Sequence, residues 1–367
     1  MFGVKSTPNA LALKILPHLR GKQTVDQVDL HNIPEVNEVK LLATGGFNSI
    51  WTVKPHKPLD VSRSAQISDT LVDQFVLRLP FEDALLPNQI TNDVAFKQFC
   101  AAKLPHIPVP KVYFYQATSQ PDTSFIIEEY IDCPPLSSTW MSLAPAQKDS
   151  LAQKISTIVA DLAEVHFDLI GGLNPLDWSI APTVEGCKLF KGRGKFHRND
   201  CYPIGPYKST KDYILSCYDR EIYYYTHATD NIDADLFSDV TVQEFVDNLQ
   251  RKRTALMEKD IVDEPFVLVH GDLHGRNILA RGDQIIAVLD WEFAGSYPLS
   301  ETLTSGPIEV LEADSEDQYE ENWAWGRKIQ QLIQHEVVKR AWDQNHINLL
   351  MGDGNLELGE ARMEMVP

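Results

Sequence analysis

The residues with the most chemistry in them lie in two short stretches. His270-Gly271-Asp272-Leu273-His274-Gly275-Arg276-Asn277-Ile278-Leu279 is the first; Asp290-Trp291-Glu292 is the second, beginning thirteen positions after Asn277. Transfer of a phosphoryl group needs a carboxylate close to the acceptor hydroxyl and hard oxygen ligands for the magnesium that neutralises nucleotide phosphates. Asp272, Asn277 and Asp290 supply that set.

The elements that must position these residues follow from the apolar pattern. Two uninterrupted apolar runs, Phe266 to Val269 and Ile285 to Leu289, each end in one of the polar clusters, as buried strands that deliver functional groups at their tips do. From about Val39 to Tyr130, short apolar runs alternate with polar turns. Ile50 to Val53, Phe75 to Leu79, Lys111 to Tyr115 and Ser124 to Tyr130 predict strands of an antiparallel sheet. One helix is predicted among them, from about Asn92 to Ala102, ending before Ile107-Pro108-Val109-Pro110, where proline excludes helix.

After Cys133-Pro134-Pro135 the period becomes helical. Leu151, Ile155, Ile158, Val159 and Leu162 share one stripe; Val242, Phe245, Val246 and Leu249 repeat the pattern, and so do Ile329, Leu332, Ile333 and Val337. The second half is therefore predicted to be mainly helical. No internal repeat or low-complexity tract interrupts it.

At 367 residues the chain is long enough for two domains or one two-lobed unit with a real core. Its 43% hydrophobic and 23% charged composition excludes a disordered, collagenous or coiled-coil protein. No apolar stretch approaches the ~18 residues of a membrane span. A net charge of −19 has the wrong sign for attachment to nucleic acid or anionic lipid, so neither is expected as a partner. The acidity suits a cationic small molecule, or serves solubility alone. The five cysteines, Cys100, Cys133, Cys187, Cys201 and Cys217, include no Cys-x-x-Cys pair, which predicts free thiols in a reducing compartment and no structural zinc. Lys5, Lys14, Arg20 and Lys22 precede the first acidic residue, Asp26, in the manner of a mitochondrial presequence, whereas Lys14 and Pro17 break the apolar stretch a secretory signal needs. The cytosol is the first expectation for location, and mitochondrial import the second.

Gly271-Asp272-Leu273-His274-Gly275 also fits the first element of a two-metal phosphoesterase. That chemistry needs further ligands downstream, yet Gly282-Asp283 is followed by Gln284-Ile285-Ile286 and no Gly-Asn-His exists in the chain. The spacing instead follows H-x-D-x-x-x-x-N and then D-x-x, the order of kinase catalytic and metal loops, with a strand predicted before each.

With these residues the chain resembles the aminoglycoside phosphotransferase and choline kinase-like family, in its fungal-type variant; "LVHGDLH..NIL" and "DWEFAG" carry the resemblance, which covers about residues 36 to 300. It implies an α+β, protein-kinase-like bilobal fold. An N-terminal extension (1–35) would precede a small antiparallel-sheet lobe with one helix (36–131) and a larger, mainly helical lobe (132–367). It also implies ATP as co-substrate and magnesium as cofactor, with Asp272 as base, Asn277 and Asp290 as metal ligands, Glu292 as a further metal or substrate contact, and His270 as a brace of the loop.

The resemblance extends upstream. Thr44-Gly45-Gly46-Phe47-Asn48-Ser49 matches the nucleotide-covering loop, in which glycines allow close approach to phosphate and Asn48 or Ser49 add donors; a Gly-Gly hairpin turn is the alternative. The family's lysine on the third strand is replaced by Arg78, and Asp93 stands where glutamate is usual. The longer, forked guanidinium can compensate for the shorter acid. Backbone groups from Glu129 to Ile131 would bind adenine.

Three features lie outside these motifs. Lys188, Lys191, Arg193, Lys195 and Arg198 form the one basic cluster, read first as a solvated loop and second as an anion contact. Glu301, Glu309, Glu312, Asp314, Glu316, Asp317, Glu320 and Glu321 form an acidic tract without Lys or Arg, either a solvent-facing surface or a wall for an amine-bearing acceptor. Trp323, Trp325 and Trp342 are core, or line the acceptor site.

Two functions are open on these grounds. One is magnesium-dependent transfer from ATP to a hydroxyl of a small molecule; the other is a nucleotide-binding pseudokinase or regulatory module. A protein acceptor is disfavoured, because nothing after Asp290 resembles an activation loop ending in Ala-Pro-Glu.

Overall fold

The computed structural model describes residues 36–61, 71–185, 194–228, 237, 240–303, 306–352 and 358. Strands β1 (Val36–Thr44), β2 (Asn48–Pro55), a short pair β3 (Leu59–Asp60) and β4 (Leu71–Val72), and β5 (Phe75–Pro80) lead into helix α1 (Asn88–Lys103), followed by β6 (Val112–Gln116) and β7 (Phe125–Glu129). Five of these strands form one antiparallel sheet in the order β1-β2-β5-β7-β6. Each predicted strand is present within a residue or two. β1 escaped prediction because it is an edge strand, mostly exposed, and so carries no alternation to read.

Two-residue periodicity divides β5 and β7 cleanly. Phe75, Leu77, Phe125 and Ile127 join Trp51 and Val53 in one cluster. Val76 and Arg78 pair with Glu128 and Ile126 on the opposite face, where Ile126 packs against Ile90 and Val94 of α1. Arg78 and Glu128 are thereby turned toward the helix.

α1 starts at Asn88, four residues ahead of its predicted start, because Gln89 and Ile90 are buried against neighbours that local sequence does not reveal. Its other side packs Ala95, Phe96 and Cys100 against Ile158, Leu162, Leu268 and Trp291 of the second half. With sheet on one side and the larger half on the other, the helix is buried almost all round, and Asn92, Asp93 and Lys97 must find partners inside.

The second half contains α2 (Leu136–Thr139), α3 (Pro145–Ala163), β8 (His166–Phe167), β9 (Gly172–Leu173), β10 (Ile180–Ala181), α4 (Thr210–His227), α5 (Val242–Met257), β11 (Phe266–Val269), β12 (Ile278–Arg281), β13 (Gln284–Val288), β14 (Gly295–Pro298), α6 (Glu316–Lys339) and α7 (Gln344–Leu350). The predicted stripes are the buried ones: Leu151, Ile155 and Val159 of α3 meet Ile329, Ile333 and Val337 of α6 in the largest core cluster. This half is less purely helical than expected, for β8, β11 and β14 form a small sheet and β12 and β13 a hairpin. Together the elements make an α+β, protein-kinase-like fold.

Among the described residues no helix is long and apolar enough to cross a membrane. Among the described residues Cys100, Cys133, Cys201 and Cys217 form no disulfide; Cys187 lies outside the described residues.

Candidate active site

The fully buried strand β11 ends at Val269 and releases the chain into His270, Gly271 and Asp272. Gly271 has φ +81°, and a Cβ there would lie 2.3 Å from the Phe293 carbonyl oxygen, so only glycine lets this loop lie against the turn that carries Asp290 and Glu292. His270 braces the same junction. Its Nε2 donates to the Leu289 carbonyl at 3.0 Å, and its Nδ1 accepts from the Asp272 N–H at 3.3 Å. Burial holds its pKa below the ordinary value, which suits this neutral donor-and-acceptor role.

Asp272 is bonded on both oxygens. His274 Nε2 approaches Oδ1 at 3.0 Å and Asn277 Nδ2 donates to Oδ2 at 3.0 Å. Burial alone would push its pKa up, but the hydrogen bond and charge of His274, then the charges of Arg276 and His270, outweigh it and hold the carboxyl below its usual range. Asn277 spends its second amide hydrogen on the Asp272 carbonyl at 2.9 Å.

Asp290 adopts a left-handed conformation, φ 62° and ψ 61°, two residues past the end of β13. Such a backbone is costly for a non-glycine residue and marks a position held by its surroundings. The holding groups are visible. Asp93 Oδ1 accepts from the Trp291 N–H at 3.0 Å, and Asn92 Nδ2 donates to the carbonyls of Glu292 and Ala294 at 3.0 and 2.7 Å. Asn92 was missed in the sequence, where an asparagine near a helix start has the look of a cap.

Arg78 joins the sheet to this turn. One terminal nitrogen, Nη2, lies 2.7 Å from Asp290 Oδ1 and 3.0 Å from Glu292 Oε2, while Nη1 reaches Asp93 Oδ2 only at 3.4 Å. The expected Arg78–Asp93 pairing is therefore the longest of its three ion pairs. Asp93 is claimed at 2.7 Å by Lys97, a residue absent from the sequence reading because a lysine on a helix is normally exposed. Burial and the adjacent Asp290 charge push Glu292 up to about 8, Asp93 adding to this and Arg78 opposing it.

Gly45 donates to the Asn48 carbonyl at 2.9 Å to close the turn between β1 and β2. Neither Gly45 nor Gly46 is left-handed, and a Cβ on Gly46 would meet nothing within 4 Å. β1 and β2 pair antiparallel across it, Thr44 opposite Ser49, so the segment is a hairpin turn, though not one of the two-residue types that need positive φ. Phe47 packs edge-on against Phe293, centroids 5.3 Å apart, and Asn48 Nδ2 donates to Glu292 Oε2 at 2.7 Å. Ser49 Oγ accepts from the Trp51 indole at 3.0 Å. At the end of β7 the Glu129 N–H is bonded to the Lys111 carbonyl and the Ile131 carbonyl to the Cys133 N–H. The Ile131 N–H keeps no hydrogen-bond partner among the described residues.

A cavity of about 310 Å³ opens beside Asp272, with Leu162, Leu273 and Ile308 on its apolar side and Glu301 and Glu309 among its polar groups. The rest of the acidic tract divides: Glu312 pairs loosely with Arg276, and Glu321 binds Lys148 and the Trp140 indole. None of the three tryptophans lines this cavity. Trp325 packs on Trp140, Trp323 is exposed, and Trp342 borders a separate hollow. Of the basic cluster, Lys188, Lys191 and Arg193 lie outside the described residues, Lys195 rests on Phe196, and exposed Arg198 pairs with Asp200.

The model of the phosphotransferase enzyme family matches residues 62–306, which take in Arg78, Asp272, Asn277 and Asp290. The chain belongs to that family. Among curated proteins, this chain is 30% identical over 181 residues to altered inheritance of mitochondria protein 9, mitochondrial, of Zygosaccharomyces rouxii, covering 41% of this chain and 29% of that protein. It is 28% identical over 195 residues to the protein of the same name from Kluyveromyces lactis, covering 44% and 30%. A subtelomeric hrmA-associated cluster protein of Aspergillus fumigatus is 26% identical over 155 residues, covering 40% and 28%. The matched part thus spans less than a third of each of these relatives. Among solved structures, a thermostable mutant of aminoglycoside phosphotransferase APH(4)-Ia, in ternary complex with AMP-PNP and hygromycin B, aligns with a TM-score of 0.49 at 14% identity over 96% of this chain and 97% of that chain.

Proposed function

We propose that the protein transfers the γ-phosphoryl group of ATP, with magnesium, to a hydroxyl of a small molecule. The observation that carries this reading is the convergence of Asp290 and Glu292 on a single cationic nitrogen of Arg78, while Leu289, the residue before Asp290, donates its N–H to the carbonyl of Asn277, whose amide holds Asp272.

The donor set fits magnesium. Asp290 and Glu292 already place an oxygen each against one positive atom, and Asn277 uses both amide hydrogens on Asp272, which leaves its Oδ1 to a metal. Among the described residues no three His, Cys, Asp or Glu side chains form a metal cage; magnesium commonly takes one or two carboxylates and completes its shell with water and phosphate oxygens. Asp290, Glu292 and Asn277 would hold it, and its contribution when bound is to neutralise charge on the phosphates.

The remaining work falls to side chains and backbone of this chain. Asp272, kept ionised at neutral pH, accepts the proton of the acceptor hydroxyl, and its hydrogen bonds to His274 and Asn277 fix the direction from which it does so. Arg78 is charged under all ordinary conditions and turns from the carboxylates to the phosphates. Gly45, Gly46, Phe47, Asn48 and Ser49 cover the nucleotide, the open space over Gly46 admitting phosphate, and the backbone from Glu129 to Ile131 receives adenine. The lobes are taken as 36–131 and 132–367. Glu301 and Glu309 favour an acceptor that carries an amine as well as a hydroxyl.

A nucleotide-binding module without transfer is the second reading, favoured by Arg78 standing where the family has lysine and by its hold on Asp290 and Glu292. Mitochondrial import becomes the location to test first, ahead of the cytosol, since three curated relatives bear that location in their names. The deciding experiment follows magnesium-dependent ATP consumption by wild type and Asp272→Asn across amino sugars, amino alcohols, sugars and nucleosides. Acceptor-stimulated turnover lost in the variant supports the transferase; nucleotide binding without turnover supports the second reading.

A further inference from the structure

The helix α1 carries one lysine whose side chain is 1% exposed. A buried ammonium persists only where carboxylates surround it, and Lys97 has two. Nζ lies 2.7 Å from Asp93 Oδ2, one helical turn back on the same helix, and 2.5 Å from Glu128 Oε2 on β7. Glu128 faces the helix by strand alternation and immediately precedes Glu129, where the expected adenine-binding segment begins. Asp93 in turn holds the Trp291 N–H, in the middle of the turn that presents Asp290 and Glu292. Lys97 therefore touches, through one carboxylate each, the segment expected at the adenine and the turn expected at the metal.

The distances around Arg78 say what this arrangement leaves free. Asp93 is bound at 2.7 Å by Lys97 and at only 3.4 Å by Arg78, and Arg78 Nε is buried without a hydrogen-bond partner. A guanidinium with one nitrogen unused and one pairing stretched is not committed to the helix. Were Lys97 missing, Asp93 and Glu128 would be buried with Arg78 as the nearest cation, and Coulomb attraction would draw the guanidinium inward, away from the cleft.

We infer that Lys97 is a positioning residue of the nucleotide site: it supplies the cation that Asp93 requires, fixes the Asp290 turn through Asp93, and so releases Arg78 to serve the phosphates. The inference rests on the phosphotransferase reading given above. It also accounts for the paired departures at Arg78 and Asp93, since the short acid on the helix is satisfied by a lysine on its own helix rather than by the strand cation.

The test compares wild type, Lys97→Met and the double variant Lys97→Met/Glu128→Gln by thermal melting, by hydrogen exchange of the segment 289–295 without ligand, and by calorimetric binding of magnesium with a non-hydrolysable ATP analogue. The single variant strands two buried carboxylates and is expected to melt early. The double variant removes one charge of each sign and should recover most of that melting temperature, while exchange across 289–295 stays raised and analogue affinity stays at least about tenfold below wild type. Recovery of affinity together with melting temperature, or unchanged exchange in the segment, overturns the inference and leaves Lys97 as a partner for Glu128 alone. Should wild type bind no magnesium nucleotide, the phosphotransferase reading fails, and the exchange arm still decides whether Lys97 holds the turn.

Discussion

The side-chain amide of Asn48 donates to Glu292 Oε2 at 2.7 Å, joining two residues 244 positions apart. With Phe47 against Phe293 at 5.3 Å, this bond ties the glycine-containing turn of the small sheet to the turn after β13. Asn48→Ala would remove a donor from a buried carboxyl, which typically costs about 1–3 kcal/mol. Denaturant melts should register that loss, and the KM for ATP should rise while acceptor KM holds.

Glu292 gives stability a pH dependence of definite sign. Burial first, then Asp290, push it up to about 8 from its ordinary 4.5. The folded protein therefore keeps this proton where the unfolded chain has lost it, and stability falls as pH rises through that interval. His270 and His197, held low by burial, act in the opposite sense, but only below 6.5. The depressed carboxyls of Asp272 and Asp93 act near and below 3.8. Between about 6.5 and 8, wild type should lose stability relative to Glu292→Gln, by at most about 1.4 kcal/mol per pH unit. Parallel urea melts across that range would check it; identical slopes would sink the assignment.

Asp272→Asn keeps the shape of the side chain and removes the charge. Loss of a general base of this kind lowers kcat by roughly 10²- to 10⁴-fold. Binding of magnesium nucleotide should persist, because the groups expected at the phosphates and metal are untouched. Single-turnover kinetics with any identified acceptor, alongside calorimetry, separates the two effects.

The glycines offer a contrast. Gly271→Ala forces a left-handed alanine whose Cβ would meet the Phe293 carbonyl at 2.3 Å, and should destabilise the fold by more than about 1 kcal/mol. Gly46→Ala meets nothing within 4 Å and should alter stability by less than about 0.5 kcal/mol. If phosphate approaches Gly46, the same substitution nevertheless weakens nucleotide binding. Unchanged affinity for Gly46→Ala would remove that residue from the site.

Much of the architecture was legible because it is written in local periodicity. The apolar stripe Leu151, Ile155 and Val159 can be buried only as a helix, and Phe266 to Val269, buried at every position, only as an inner strand. The edge strand β1 and the first turn of α1 were not legible, since an exposed strand has no alternation and Gln89 and Ile90 are buried by distant elements. The tryptophans show the same limit: their size announces that they pack, but not against what.

By itself the sequence determined the types and spacing of Asp272, Asn277 and Asp290, because a loop between two buried strands presents its residues in an order that chain connectivity alone imposes. It determined equally that Arg78 and Asp93 lie on neighbouring elements. Only the tertiary structure decided who pairs with whom. Arg78 meets Asp290 across 212 positions and Lys97 meets Glu128 across 31, and pairings so far apart depend on how sheet, helix and turn pack together. That packing excludes water, and in its absence an ammonium on a helix, an ordinary surface charge to any local reading, must take the nearest carboxylates as its solvent.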